Sequence, residues 1–151
     1  GRGGVVTLLI INGPNLNLLG QRDPSIYGRM TLAQIEAKIR ERAEELGTEV
    51  AFFQSNSEGT LLDHLQQQAP SSDGVIINPG AYSHYSLSLR DTLANLEVPV
   101  IEVHISNIHG REPFRRLSVT AAVVQGQISG LGWRGYLAAL EYLVASQKEP
   151  Y

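Results

Sequence analysis

A parallel sheet wound by helices on both faces is the fold class this sequence predicts. Three observations carry that expectation. Short apolar runs rich in β-branched residues recur along the chain, helical stretches alternate with them, and turn residues gather after several of the runs.

Val5 to Ile11 is a continuous apolar run, suited to a strand buried on both faces, and Asn12-Gly13-Pro14 ends it. Thr31 to Leu46 reads as a helix. Thr31 and Gln34 form a capping-box pair, Leu32, Ile35, Ile39 and Leu46 share a stripe, and Gly47 supplies the stop. Glu49 to Phe53 reads as the second strand, and Thr60 to Gln68 as a helix ended by Pro70. Gly74 to Asn78 is the third strand, closed by Pro79-Gly80. Ser86 to Leu96 is helical, Val98 to Ile105 is the fourth strand, Val119 to Ile128 holds a fifth, and Gly135 to Gln147 closes the chain as a helix. About five parallel strands in three layers make the flavodoxin-like order the natural expectation. No repeat or linker divides the 151 residues, so 1–151 is read as one catalytic domain with a flexible end at 1–4.

Composition narrows the function. Net charge is −3 and the basic residues form no run or stripe, which argues against nucleic-acid binding. The chain has no cysteine, which excludes disulfides, thiolate nucleophiles and zinc–sulfur sites. No apolar stretch approaches a membrane span and no signal pattern opens the chain, so a cytoplasmic location without membrane contact is expected. Lys38 and Lys148 are the only lysines. Neither sits where a desolvated amine would be expected, which argues against imine chemistry.

In open α/β sheets ligands bind beyond the carboxyl ends of the strands. Three such ends here are polar: Gly13 to Gly20, Asn78 to His84 and Glu102 to Asn107. Asn, Gly, Pro and Ser populate turns for conformational reasons alone, but three polar loops converging on one edge favour a site. Alternation along the fourth strand puts Val100, Glu102 and His104 on one face, where the carboxylate can orient the imidazole and favour its protonated form. Gly20 to Arg29 reads as a lid. Tyr27 within it is either a packing aromatic or a phenolate base. An ordinary phenol is almost wholly protonated at neutral pH, and an arginine nearby favours its anion; Arg22, on the same loop, is the candidate.

The motifs I-N-G-P-N-L-N-L-L-G-x-R-x-P-x-x-Y-G, Q-S-N-x-E-G, I-N-P-G-A-Y-S-H and E-V-H-I-S-N-x-H-x-R-E-x-F-R resemble those of type II 3-dehydroquinate dehydratases, in the same order. G-x-I-x-G-x-G-x-x-G-Y from Gly126 to Tyr136 extends the match to the last helix. The resemblance implies a hydro-lyase converting 3-dehydroquinate to 3-dehydroshikimate and water, in the shikimate pathway or quinate breakdown. The implied reaction is an anti elimination through an enolate, without metal or organic cofactor. It implies Tyr27 as the base at carbon 2, Arg22 and Arg111 as arginines favouring the tyrosinate, and His104 with its partner Glu102 as the acid at the departing hydroxyl. Asn15 matches the residue that holds a water at the enolate oxygen. Asn78, His84, Ile105, Ser106 and Arg115 match substrate-binding positions, and Asp91 matches a residue lent by a neighbouring subunit. The implied assembly is a homo-oligomer, a dodecamer built from trimers. The sequence departs from the common pattern at Ser57 (often histidine), Tyr85 (usually threonine) and Val119 (often aromatic).

Other readings were weighed on the residues. Gly130 to Gly135 matches a dinucleotide fingerprint, but the chain ends before the acidic strand such a site needs, so these glycines read as turn and close-packing positions. His104, His109 and Glu102 lack the spacing of helical zinc motifs. A flavin-binding module would want a hydroxyl-rich loop after the first strand, and a phosphoryl receiver an aspartate where Asn78 stands. A hydro-lyase acting on another polyhydroxy acid is the rival within enzymes.

Overall fold

The computed structural model of the chain describes residues 4–21 and 23–149. Arg22, and Gly1 to Gly3 of the expected flexible end, lie outside the described residues. Five strands form one parallel sheet: β1 (Thr7–Asn12), β2 (Glu49–Gln54), β3 (Gly74–Asn78), β4 (Val100–His104) and β5 (Gly126–Ser129). Their order across the sheet is β2-β1-β3-β4-β5, the expected flavodoxin-like arrangement. The helices are α1 (Pro24–Tyr27), α2 (Leu32–Glu45), α3 (Glu58–Gln68), α4 (Leu87–Ala94) and α5 (Arg134–Lys148).

The alternation of β1 divides the core between two faces. Leu8 and Ile10 join Ile35, Ile39, Leu140 and Leu143 beneath α2 and α5. Leu9 and Ile11 join Leu61, Leu65, Leu89 and Leu93 beneath α3 and α4. A strand covered on both sides must be apolar at every position, which is why β1 reads as an unbroken run. The polar residues stand at its two ends, half-buried Thr7 and buried Asn12.

The expected capping box is present: the Thr31 hydroxyl accepts from the Gln34 amide, and the Thr31 amide donates to the Gln34 side chain. Several boundaries differ from the sequence expectation, three of them for a visible reason. Helix α3 starts at Glu58 because the Ser57 hydroxyl accepts from the Thr60 amide as an N-cap. This gives Ser57, one of the departures, a structural role. Strand β4 begins at Val100, one residue after Pro99, which has no N–H for a ladder. The fifth strand occupies only Gly126–Ser129. The segment before it turns through Ala121–Val123 and brings Ser118 and Thr120 back toward β4.

Candidate active site

Three strand ends are drawn together first by backbone. The Gly13 amide donates to the Asn78 carbonyl at 2.8 Å. A Cβ on Gly13 would lie 2.6 Å from the Pro79 carbonyl oxygen, so the β1 and β3 loops can approach this closely only with glycine there. Asn15 follows in the left-handed region, at φ 67°. It is held there by its amide, which donates to Asn56 Oδ1 at 2.9 Å. Gln54 Nε2 donates both to the same Asn56 oxygen, at 3.2 Å, and to the Gly13 carbonyl, at 3.1 Å. Gln54 and Asn56, of the Q-S-N-x-E-G motif, are the clamp on the β1 loop.

Beyond these ends lies a cleft of about 120 Å³. Asn15, Tyr27, Asn78, His84, His104, Ile105, Ser106, Arg111 and Arg115 all line it. Of the other residues singled out by sequence, Glu102 lies behind His104, Asp91 is exposed on α4 outside the cleft, and Arg22 is not among the described residues.

Glu102 and His104 sit on one face of β4 as alternation requires, both buried. His104 Nε2 donates to Glu102 Oε2 at 2.7 Å, which leaves Nδ1 as the nitrogen that Glu102 does not engage. The carboxylate accepts more than this one bond. Gln127 Nε2 donates to Oε2 at 2.6 Å, Ser118 Oγ donates to Oε2 at 3.3 Å, and Thr120 Oγ1 donates to Oε1. Burial pushes the Glu102 pKa up, but the bonds and charge of His104 and the bonds from Thr120 and Gln127 outweigh it. The carboxyl is held below its ordinary range. A buried carboxylate with this many donors stays ionised and holds the imidazole in one orientation.

Gln127 was not anticipated, yet it is the direct neighbour of Glu102 in the β4–β5 register. Ser129 is likewise paired with His104. It accepts from the Ile108 amide and donates to the Ser106 carbonyl, bracing the turn after β4.

Tyr27 is the last residue of α1, a four-residue helix started by Pro24 and capped by Asp23, whose carboxylate accepts from the Ser25 amide and hydroxyl. The bonds from Ser25 hold the Asp23 carboxyl below its ordinary range. Tyr27 itself is half-buried. The Arg111 guanidinium carbon stands 5.3 Å from its ring centroid, and Arg111 Nη1 donates to Ser106 Oγ at 3.3 Å. Positive charge is thus anchored beside the phenol by the turn that follows His104.

His84 donates from Nδ1 to the Leu117 carbonyl at 2.7 Å, which fixes its ring. Tyr85 next to it does not line the cleft. It is 61% exposed and packs edge-on against Tyr82, so the departure there places no bulk in the cleft. Val119, a further departure, donates its amide to the Ser83 carbonyl.

Two acid–base candidates from separate segments, amide and arginine donors between them, and a polar cleft suit proton transfer on a small, oxygen-rich molecule. Comparison with known proteins agrees. Residues 6–144 match the model of the family described as dehydroquinase class II. The chain is 55% identical over 140 residues to 3-dehydroquinate dehydratase of Roseiflexus castenholzii, covering 93% of this chain and 89% of that one. It is 57% identical over 137 residues to the protein of the same name from Herpetosiphon aurantiacus, covering 91% and 95%. Among solved structures, the type II dehydroquinase of Butyrivibrio crossotus superposes with a TM-score of 0.91 at 45% identity, covering 93% of this chain and 99% of that one. The type II dehydroquinase of Propionibacterium acnes gives 0.89 at 45% identity, covering 92% and 96%. The chain belongs to the class II dehydroquinase family.

Proposed function

We propose that this enzyme converts 3-dehydroquinate to 3-dehydroshikimate and water, by an anti elimination through an enolate, in the shikimate pathway or quinate breakdown. The single observation that carries the reading is that Tyr27 and His104, from separate segments, line one cleft together with the donors expected around them. Removing a proton and a hydroxyl from opposite faces of a ring needs two groups of this kind.

Tyr27, as phenolate, takes the proton from carbon 2 beside the ketone, and the electron pair passes to the carbonyl oxygen. Asn15 holds a water against that oxygen. As the enolate collapses, the carbon 1–carbon 2 double bond forms, His104 gives its proton to the hydroxyl on carbon 1, and water leaves. Glu102 keeps the imidazole oriented for this transfer. Arg111 supplies positive charge near the phenol, a role supported by its place over the ring; Arg22 is given the same role on its place in the loop sequence and on the motif resemblance. Ile105 and Ser106 offer amides to the substrate carboxylate, Arg115 reaches a ring hydroxyl, and Asn78 and His84 complete the binding positions.

Asp91 is exposed and outside its own cleft, which supports reading it as a residue lent to a neighbouring copy. We read the assembly as a dodecamer of trimers, each chain one catalytic domain, working in the cytoplasm. Among the described residues no helix is long and apolar enough to cross a membrane.

Adding 3-dehydroquinate to the purified protein tests the proposal. The ultraviolet absorbance of the conjugated enone product rises if it holds; a folded protein that gives no rise refutes it.

A further inference from the structure

We infer that Tyr136 is a positioning residue, which together with the Gly80 amide holds the side-chain amide of Asn78 so that it offers an N–H, not a carbonyl, to the cleft. This rests on reading Asn78 as a substrate-binding residue.

The polarity can be followed atom by atom. The Gly80 amide can only donate, and it meets Asn78 Oδ1 at 3.1 Å. Asn78 Nδ2 therefore takes the other position, where it donates to the Tyr136 hydroxyl at 3.0 Å. The hydroxyl has one proton, and it donates this to Asn12 Oδ1 at 2.6 Å. Tyr136 is fully buried, and burial pushes its phenol pKa up, so the proton stays in place.

The amide of Asn78 is thus locked at both ends, by a backbone group it cannot turn away from and by a hydroxyl with no freedom left. One Nδ2 proton is used by Tyr136. The second is not used in this chain of bonds, and Asn78 lines the cleft. The ligand so recognised presents an acceptor oxygen there, as a ring hydroxyl or an alkoxide does.

The approach of α5 makes this possible. Gly135 precedes Tyr136, and a Cβ there would meet Val103 and Ile128 at 3.3 and 3.4 Å. Without one, the first turn of α5 lies tightly on the sheet, and the Tyr136 hydroxyl reaches between the ends of β1 and β3. Of the glycines at 130–135 that imitate a nucleotide fingerprint, Gly135 serves this packing, while Gly130 and Gly132 take positive φ in the turn before α5.

The test is a mutant cycle on KM and kcat for 3-dehydroquinate with Tyr136→Phe, Asn78→Ala and the double variant, with melting curves alongside. Tyr136→Phe keeps the ring and removes the hydroxyl. The expected result is a KM raised about threefold or more with kcat nearly unchanged. In the Asn78→Ala background the same change adds nothing. A Tyr136→Phe protein that melts earlier but keeps its KM, or whose effect adds fully to that of Asn78→Ala, overturns the inference. Asn78→Ala with a normal KM would instead overturn the reading of Asn78 as a binding residue, and the inference with it. If Tyr136→Phe does not fold, asparagine-labelled wild-type protein carries the test by NMR. One Asn78 side-chain amide proton should resist solvent exchange while the other shifts when 3-dehydroshikimate is added. Equal, fast exchange of both overturns the inference.

Discussion

His104 and Tyr27 line the same cleft, yet one is fixed by the sheet and the other by a four-residue helix on an exposed loop. His104 ends a fully buried strand, and its carboxylate partner accepts from Thr120, Gln127 and Ser118 as well. Tyr27 sits at the end of a helix started by one proline and capped by one aspartate, with an arginine over its ring and the core packed against it. His104, the proposed acid, is therefore held in place before any ligand arrives. Tyr27, the proposed base, is carried by an element whose other residues, Pro24 to Ile26, and the Gly28 that follows are exposed. A short helix of this kind has little cooperativity of its own, and loops of this kind open at low free-energy cost. On the roles proposed above, the proton donor is held rigidly and the base rides on the more exposed element.

That contrast sets the order of the expected effects. Tyr27→Phe removes the base and should lower kcat by ~10²–10⁴. Ligand affinity should be largely kept, as read by calorimetry with the product; near-normal turnover would show that Tyr27 is a packing aromatic.

Glu102→Gln should cost less, roughly 10–10²-fold, since the acid itself remains. An amide has one accepting oxygen, so it cannot receive Thr120, Gln127 and His104 at both of its ends. The same variant has a signature in pH. Glu102 is held below its ordinary 4.5, so its contribution to stability is present above that value and lost as pH falls from there through its folded pKa. Melting temperatures measured from pH 6 downward should therefore fall less steeply in Glu102→Gln than in the wild type below about pH 4.5. Parallel curves would mean that the donors do not hold the carboxylate ionised.

Asp23→Ala should give the smallest effect, a loss in kcat/KM of under about tenfold, because only the cap of α1 is removed. A loss as large as that of Tyr27→Phe would mean that α1 is far more rigid than its exposure suggests.

The same contrast explains what could be read from the sequence. Glu102 and His104 were legible because strand alternation is a local rule, and β1 because burial on both faces leaves an unbroken apolar run. Asp23-Pro24 carried an ordinary helix-start signal, but four residues are too few for periodicity, so α1 was read only as a loop. Thr120 and Gln127 lie 18 and 25 residues from Glu102 in the chain. Asn56 lies 41 from Asn15. No local pattern reports such meetings; they exist only once the strands are in register. The reading of Tyr27 as base rests on the motif resemblance, since no local pattern tells a phenolate base from a packing aromatic.

The division of labour between the two residues is tested most directly by following 3-dehydroquinate in D₂O by NMR with a His104→Ala protein. If Tyr27 is the base and His104 the acid of a stepwise elimination, this variant still exchanges the carbon 2 proton for deuterium while releasing almost no 3-dehydroshikimate. A folded His104→Ala protein that dehydrates the substrate at the wild-type rate, or that no longer exchanges that proton, would contradict it.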